Sequence, residues 1–251
     1  MTATVISPTK EVPNMTPDYE VKLLLNPTAV LSSKHELTDT VLSTFNTAPT
    51  IAKINVQFLD TCSKDIYTAG WGGGKRYAIT GGDIDAALTT GNSDGFDAGD
   101  TKYKAQVEWG YEKQTLSISR KKDIAKSRNS GTDLPGTSES RKMLIDEAPD
   151  KFDNWYHNKW GTKALAMSRI FGPVVVRRSV GMWNGMELYL EVWPLLNFPG
   201  TEIEHIVEAS FKTKSRTTAS VEQNSLANYL QSRGWLLAQD SLKTQLIMER
   251  Y

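Results

Sequence analysis

The stretch TPDYEVKLLL, residues 16–25, decides how this chain is read. In an extended strand, side chains two apart share a face. Asp18, Glu20 and Lys22 then stand on one side, and Tyr19, Val21 and Leu23 on the other. An ordinary sheet with one wet face satisfies this alternation. So does a row of charges directed into a tunnel.

Two later stretches repeat the pattern. In MELYLEVW, residues 186–193, Glu187, Tyr189, Glu191 and Trp193 oppose the wholly apolar Met186, Leu188, Leu190 and Val192. In TEIEHIVEASF, residues 201–211, Glu202, Glu204, Glu208 and Ser210 oppose Ile203, His205, Val207, Ala209 and Phe211. Carboxylates crowded on neighbouring strands repel unless something positive lies between them. A metal ion or a cationic group supplies that charge. Other strand candidates carry Lys75, Arg76, Arg177 and Arg178. Acidic and basic strands facing each other would make a site with metal on one wall and phosphate on the other.

The chain has 251 residues, enough for one large domain or two small ones. Lys and Arg together number 29, as do Asp and Glu, so the formal net charge is zero. A general nucleic-acid or membrane-surface binder would show a basic excess. The single cysteine, Cys62, forms no intramolecular disulfide and fits a reducing, cytoplasmic setting. No run approaches the ~18 apolar residues of a membrane span. Residues 1–15 read as a flexible lead-in and 16–251 as a single domain.

Residues 26–45 read as a turn and one amphipathic helix, capped by Ser32 or Ser33 with Glu36 in its first turn. AKINVQFLDT, GPVVVRRSVGMW and the two acidic stretches read as strands. YKAQVEWGYEKQTLSISR holds one or two more. Residues 81–102 and 120–145, rich in polar and turn-forming residues, read as long loops. The last 32 residues read as two helices broken near Gly234. Many antiparallel strands with a few helices imply an α+β or barrel-like domain.

DYEVK also resembles the ExExK opening of the triphosphate tunnel metalloenzyme (CYTH) superfamily, with Asp18 in the first place. LDTCSKDIYTAGWGGGKRYAI is similar to the family's stretch leading into a strand with two arginines. Arg76 matches the second, and Gly74 stands where the first belongs. Arg178 (or Arg177), Glu191, the pair Glu202 and Glu204 (or the register of Glu208), and Lys243 in DSLKT fit later family positions in order.

The resemblance implies a closed antiparallel β-barrel of about eight strands, a tunnel with helices packed outside. It implies Mg²⁺ or Mn²⁺ held by Asp18, Glu20, Glu191, Glu202 and Glu204. Lys22, Arg76, Arg178 and Lys243 would grip the phosphate of a small-molecule substrate, with Lys22, Glu20 and Glu191 serving the chemistry. The loss of one arginine to Gly74 keeps two other readings open. One is a repurposed tunnel acting as a cyclase or isomerase of a non-phosphate molecule. The other is a non-catalytic module binding phosphorylated ligands.

NSDGFDAGD, with Asn92, Asp94, Asp97 and Asp100, hints at a calcium loop but lacks EF-hand spacing, so a solvated turn is the better reading. GGGK is no Walker motif. Of the scattered histidines, His205 falls on an outward face where packing is expected. WYHNKW lines a pocket mouth or simply packs, and packing is preferred.

Overall fold

The computed structural model describes residues 15–72, 74–96, 102–122, 134–240 and 242–251. Its strands are β1 (Asp18–Leu25), β2 (Ile51–Asp60), β3 (Lys75–Ile79), β4 (Lys104–Trp109), β5 (Gln114–Ser119), β6 (Arg169–Trp183), β7 (Met186–Leu196), β8 (Ile203–Thr213) and β9 (Leu236–Leu237). The helices are α1 (Pro27–Val30), α2 (Asp39–Thr44), α3 (Asp65–Thr68), α4 (Ile84–Ser93), α5 (Thr137–Asp146), α6 (Asp150–Asp153), α7 (Trp160–Ala166), α8 (Arg216–Ser232) and α9 (Lys243–Arg250).

The strands form one nine-stranded sheet in the order β2-β6-β7-β8-β1-β4-β5-β3, with β9 beside the end of β1. Long hairpins join β6 to β7 and β7 to β8 in register, Arg178 opposite Glu191 and Glu191 opposite Glu208. β1 runs antiparallel to β8 but parallel to β4. Hydrogen bonds do not close the ladder into the expected barrel, because β2 and β3 stand at its two ends. Side chains of α5, α6 and α7 line the cavity beside those two strands.

Each face of the sheet has its own core. On one side Tyr19, Val21, Leu23 and Leu25 of β1 join Leu188, Leu190 and Val192 of β7 and Val207, Ala209 and Phe211 of β8. α8 covers them. Its buried Ala219, Gln223, Leu226, Ala227 and Leu230 recur at helical spacing. Ser215 caps it by accepting from the Thr218 N–H, and Gly234 follows at φ +69°. Leu226 and Leu230, fully buried, each contribute about 1.5–3 kcal/mol.

The other side is concave, and half of it is apolar. Leu24, Val174, Val176, Trp193, Leu195 and Ile206 pack against Ile247 and Met248 of α9. The C-terminal helix therefore lies on the inner face of the sheet. Period two places Leu24 beside Lys22 and Trp193 beside Glu191 but does not say where charge gives way to core.

Several local readings change. Residues 26–45 hold two short helices, and the second is capped by Thr38, whose hydroxyl accepts from the Val41 N–H, while Ser32 closes the turn between them. The first of the two expected loops contains α4, capped by Asp83, and the second contains most of α5. In α4 the Asp83 cap outweighs a polar composition, whereas α5 follows Gly136 without a side-chain cap. Asn92 and Asp94 end α4, and Asp94 accepts a 2.6 Å hydrogen bond from Tyr77. Asp97 and Asp100 lie outside the described residues, as does most of the lead-in. Trp155 and Trp160 of WYHNKW pack edge-on against Trp71 and Phe152. Among the described residues no helix is long and apolar enough to cross a membrane.

Candidate active site

The polar half of the concave face is a lattice of alternating charges. The Lys22 ammonium on β1 lies 3.0 Å from Glu20 and 3.5 Å from Glu108 of β4. Glu108 reaches the Arg76 guanidinium of β3 at 3.9 Å, and Glu20 reaches Lys212 of β8 at 3.6 Å. Gln106 donates to Glu20 at 2.7 Å. On the neighbouring strands the Glu191 carboxylate accepts from Arg178 Nε at 2.8 Å, Trp193 Nε1 at 2.8 Å and Lys243 Nζ at 3.0 Å. Lys243 also donates to Glu208 at 2.6 Å and sits 4.6 Å from the Trp193 ring.

Burial grades across this lattice. The Glu191 and Glu208 side chains are 4% and 2% exposed, whereas Arg178 and Lys212 at the rim are 37% and 56% exposed. Burial pushes the Glu191 carboxyl up, but Lys243 and Arg178 outweigh it and hold the group at about 2. Glu20 is likewise lowered, its burial outweighed by Lys22 and Lys212. Burial opposes charge on Lys22 too, yet Glu108, Glu20 and Glu208 raise its pKa. Five cations face four carboxylates across the site.

Of the residues expected from the sequence, Glu20, Lys22, Arg76, Arg178, Glu191 and Lys243 come together here. Asp18, Glu202 and Glu204 do not join them. Asp18, at the first position of β1, is exposed. Glu202 precedes β8 and is exposed. Glu204 lies beyond the apolar zone and pairs with Arg250 at 3.3 Å. Glu208, the alternative register, holds the buried position. Glu108, Gln106 and Lys212 escaped the sequence reading, although QVEW and ASFK place them on the polar side of alternating strands.

In this arrangement the carboxylates are taken up by the protein's own cations. Among the described residues no three Asp, Glu, His or Cys side chains are grouped so as to hold one. Glu20, Glu191 and Glu208 are each held instead by an ammonium or guanidinium.

Gly74 has a steric cause. A Cβ there would lie 2.8 Å from Ser119 Cβ and 2.9 Å from the Ile118 carbonyl. An arginine at this position has no room while β3 pairs with β5 in this register.

The fold is shared with a solved structure of HpAC1 from Hippeastrum, a protein assigned as an adenylyl cyclase and described as having a dominant triphosphatase activity. The two superpose with a TM-score of 0.52 at 11% sequence identity, over 92% of this chain and 99% of that one. No protein-family profile and no curated protein sequence matches the chain. The likeness is one of fold.

Proposed function

We propose that this protein is an enzyme acting on the triphosphate or diphosphate group of a small molecule. The observation behind this reading is the charged lattice, in which five cations, Lys22, Arg76, Arg178, Lys212 and Lys243, converge on one face of the sheet. The triphosphatase activity described for HpAC1, on a similar fold, is in keeping with it.

Lys22, Arg76, Arg178, Lys212 and Lys243 bind phosphate oxygens, each charge-assisted contact contributing about 1.5–3 kcal/mol. In doing so they loosen their hold on the carboxylates. Glu20 is a poor base while Lys22 and Lys212 grip it. Once phosphate draws those cations away, burial raises its pKa and it can take a proton. Water attacks the terminal phosphorus, its proton passes to Glu20, and the bond to the bridging oxygen breaks. The cations stabilise the charge that gathers on that leaving phosphate.

Calorimetry with tripolyphosphate, followed by phosphate release with and without Mg²⁺ or Mn²⁺, tests the reading. Binding in the micromolar range, weakened tenfold or more by Arg76→Ala and partly restored by Arg76→Lys, is expected. Glu20→Gln should bind tripolyphosphate and lose turnover. Wild-type affinity weaker than millimolar in every condition would favour a repurposed tunnel. The specific observation behind that second reading is Gly74, where the backbone leaves no space for another phosphate-binding arginine.

A further inference from the structure

A second cavity, of about 500 Å³, opens at the seam between β2 and β3. That is the size of a small-molecule site. Phe58, Trp71, Phe152, Leu165 and Met248 give it apolar walls. Trp71 is 8% exposed, and its indole N–H has no hydrogen-bond partner among the described residues. A buried donor left unpaired costs about 1–3 kcal/mol, and a ligand acceptor removes that cost.

The seam cavity and the charged lattice are neighbours. α9 stands between them, with Thr244 and Met248 on the seam side and Gln245 and Leu246 on the side of Lys22 and Glu108. The Arg76 guanidinium spans this partition, 3.4 Å from Thr244 Oγ1 and 3.9 Å from Glu108. Its Nε is also buried without a partner among the described residues. Gly72 thins the wall further, since a Cβ there would lie 3.1 Å from Thr244 and 3.7 Å from Arg76 Nη1. Trp71 Nε1 is the unpaired donor among the described residues lining the cavity, with Arg76 Nε unpaired behind Thr244 and Gly72, and such donors call for acceptors on a ligand.

We propose that the seam cavity binds the apolar body of a phosphate ester of an aryl or branched-alkyl alcohol, with acceptor oxygens of the ligand meeting Trp71 Nε1 and Arg76. The place of the phosphate head rests on the proposed function. The place of the apolar body does not. Such a ligand would use the lattice for charge and the seam for its hydrophobic part, which inorganic triphosphate leaves empty.

The test titrates three probes, 1-naphthyl phosphate, 1-naphthol and tripolyphosphate, into the intact chain and reads tryptophan emission and heat. Leu144→Trp fills the cavity from α5, where Leu144 is 44% exposed, so the variant should fold. Trp71→Phe removes the indole N–H, with its fold checked by circular dichroism. Both naphthyl probes should bind saturably to wild type, the phosphate at least tenfold tighter than the alcohol. Leu144→Trp should weaken both at least tenfold and leave tripolyphosphate unchanged. Trp71→Phe should weaken both severalfold. Absence of saturable naphthol binding, or naphthol binding indifferent to Leu144→Trp, overturns the proposal. Tripolyphosphate failing to bind, with naphthol still sensitive to Leu144→Trp, supports the seam site and removes the charged-lattice reading instead.

Discussion

Lys243 is the residue on which the buried charges depend. It donates to both Glu191 and Glu208, two side chains almost without exposure on adjacent strands. Removing it leaves two carboxylates opposite each other, Glu191 still paired with Arg178 but Glu208 with only the field of Lys22 in place of a direct partner. Breaking a buried pair in this way costs about 3–5 kcal/mol. Lys243→Met is therefore expected to lose about that much in urea unfolding at pH 7. Without Lys243 the native carboxylates hold protons above their unfolded value, so the variant should regain stability as pH falls from 7 towards 5. A loss that stays constant over that range would mean Arg178 alone suffices. Lys212 offers a contrast. It reaches Glu20 from a side chain 56% exposed, and Lys212→Ala should change stability by less than about 1 kcal/mol.

Elements show where the sequence was legible and where it was not. β1, β7 and β8 were readable because period two is strict and one face, which holds Val21, Leu190 and Val207, is apolar apart from His205. Their inner face was readable only in part. Charge stops at Lys22, Glu191 and Glu208, and Leu24, Trp193 and Ile206 continue the same face as core. No local signal marks that change, since it is imposed by α9, a segment some 200 residues from β1. Glu204 therefore shares that face but lies beyond the apolar zone, paired with Arg250, while Asp18 stands exposed at the first position of β1. Arg76 was legible from its neighbours, whereas the steric need for Gly74 arises from Ser119 on a partner strand. Ile247→Ala, at a fully buried position where α9 meets the sheet, should cost about 2–5 kcal/mol. Gly74→Ala should cost about 1–3 kcal/mol through overpacking against β5, as measured by urea midpoint, and weaken tripolyphosphate binding by displacing Arg76.

Across the whole molecule His205, Glu20 and Glu191 pull stability down as pH falls, while Asp60, its carboxyl pushed up by burial, acts the other way. His205 stacks on His35 at 4.2 Å between ring centroids, on the face that also carries Arg177, itself paired with Glu36. Burial, then His35 and Arg177, lower the His205 pKa from 6.5. The unfolded chain then takes up its proton first, so stability begins to fall below pH 6.5. Glu20 and Glu191 are carboxylates whose folded pKa is depressed from 4.5, Glu191 to about 2. Their contribution is fully present above pH 4.5 and is lost as pH falls towards 2. Lys22 is raised, so its contribution persists through neutral pH and is lost only at strongly alkaline pH. Urea unfolding at pH 7, 5.5, 4 and 3 should show a shallow first decline and a steeper second one. His205→Gln should flatten the first decline alone. Glu191→Gln should be less stable than wild type at pH 7, with the gap narrowing by pH 3, because the wild-type carboxylate is losing its advantage over that range. Because the pairs are buried, 0.5 M NaCl should change the second decline little. A decline erased by salt would place these charges in solvent rather than inside the fold.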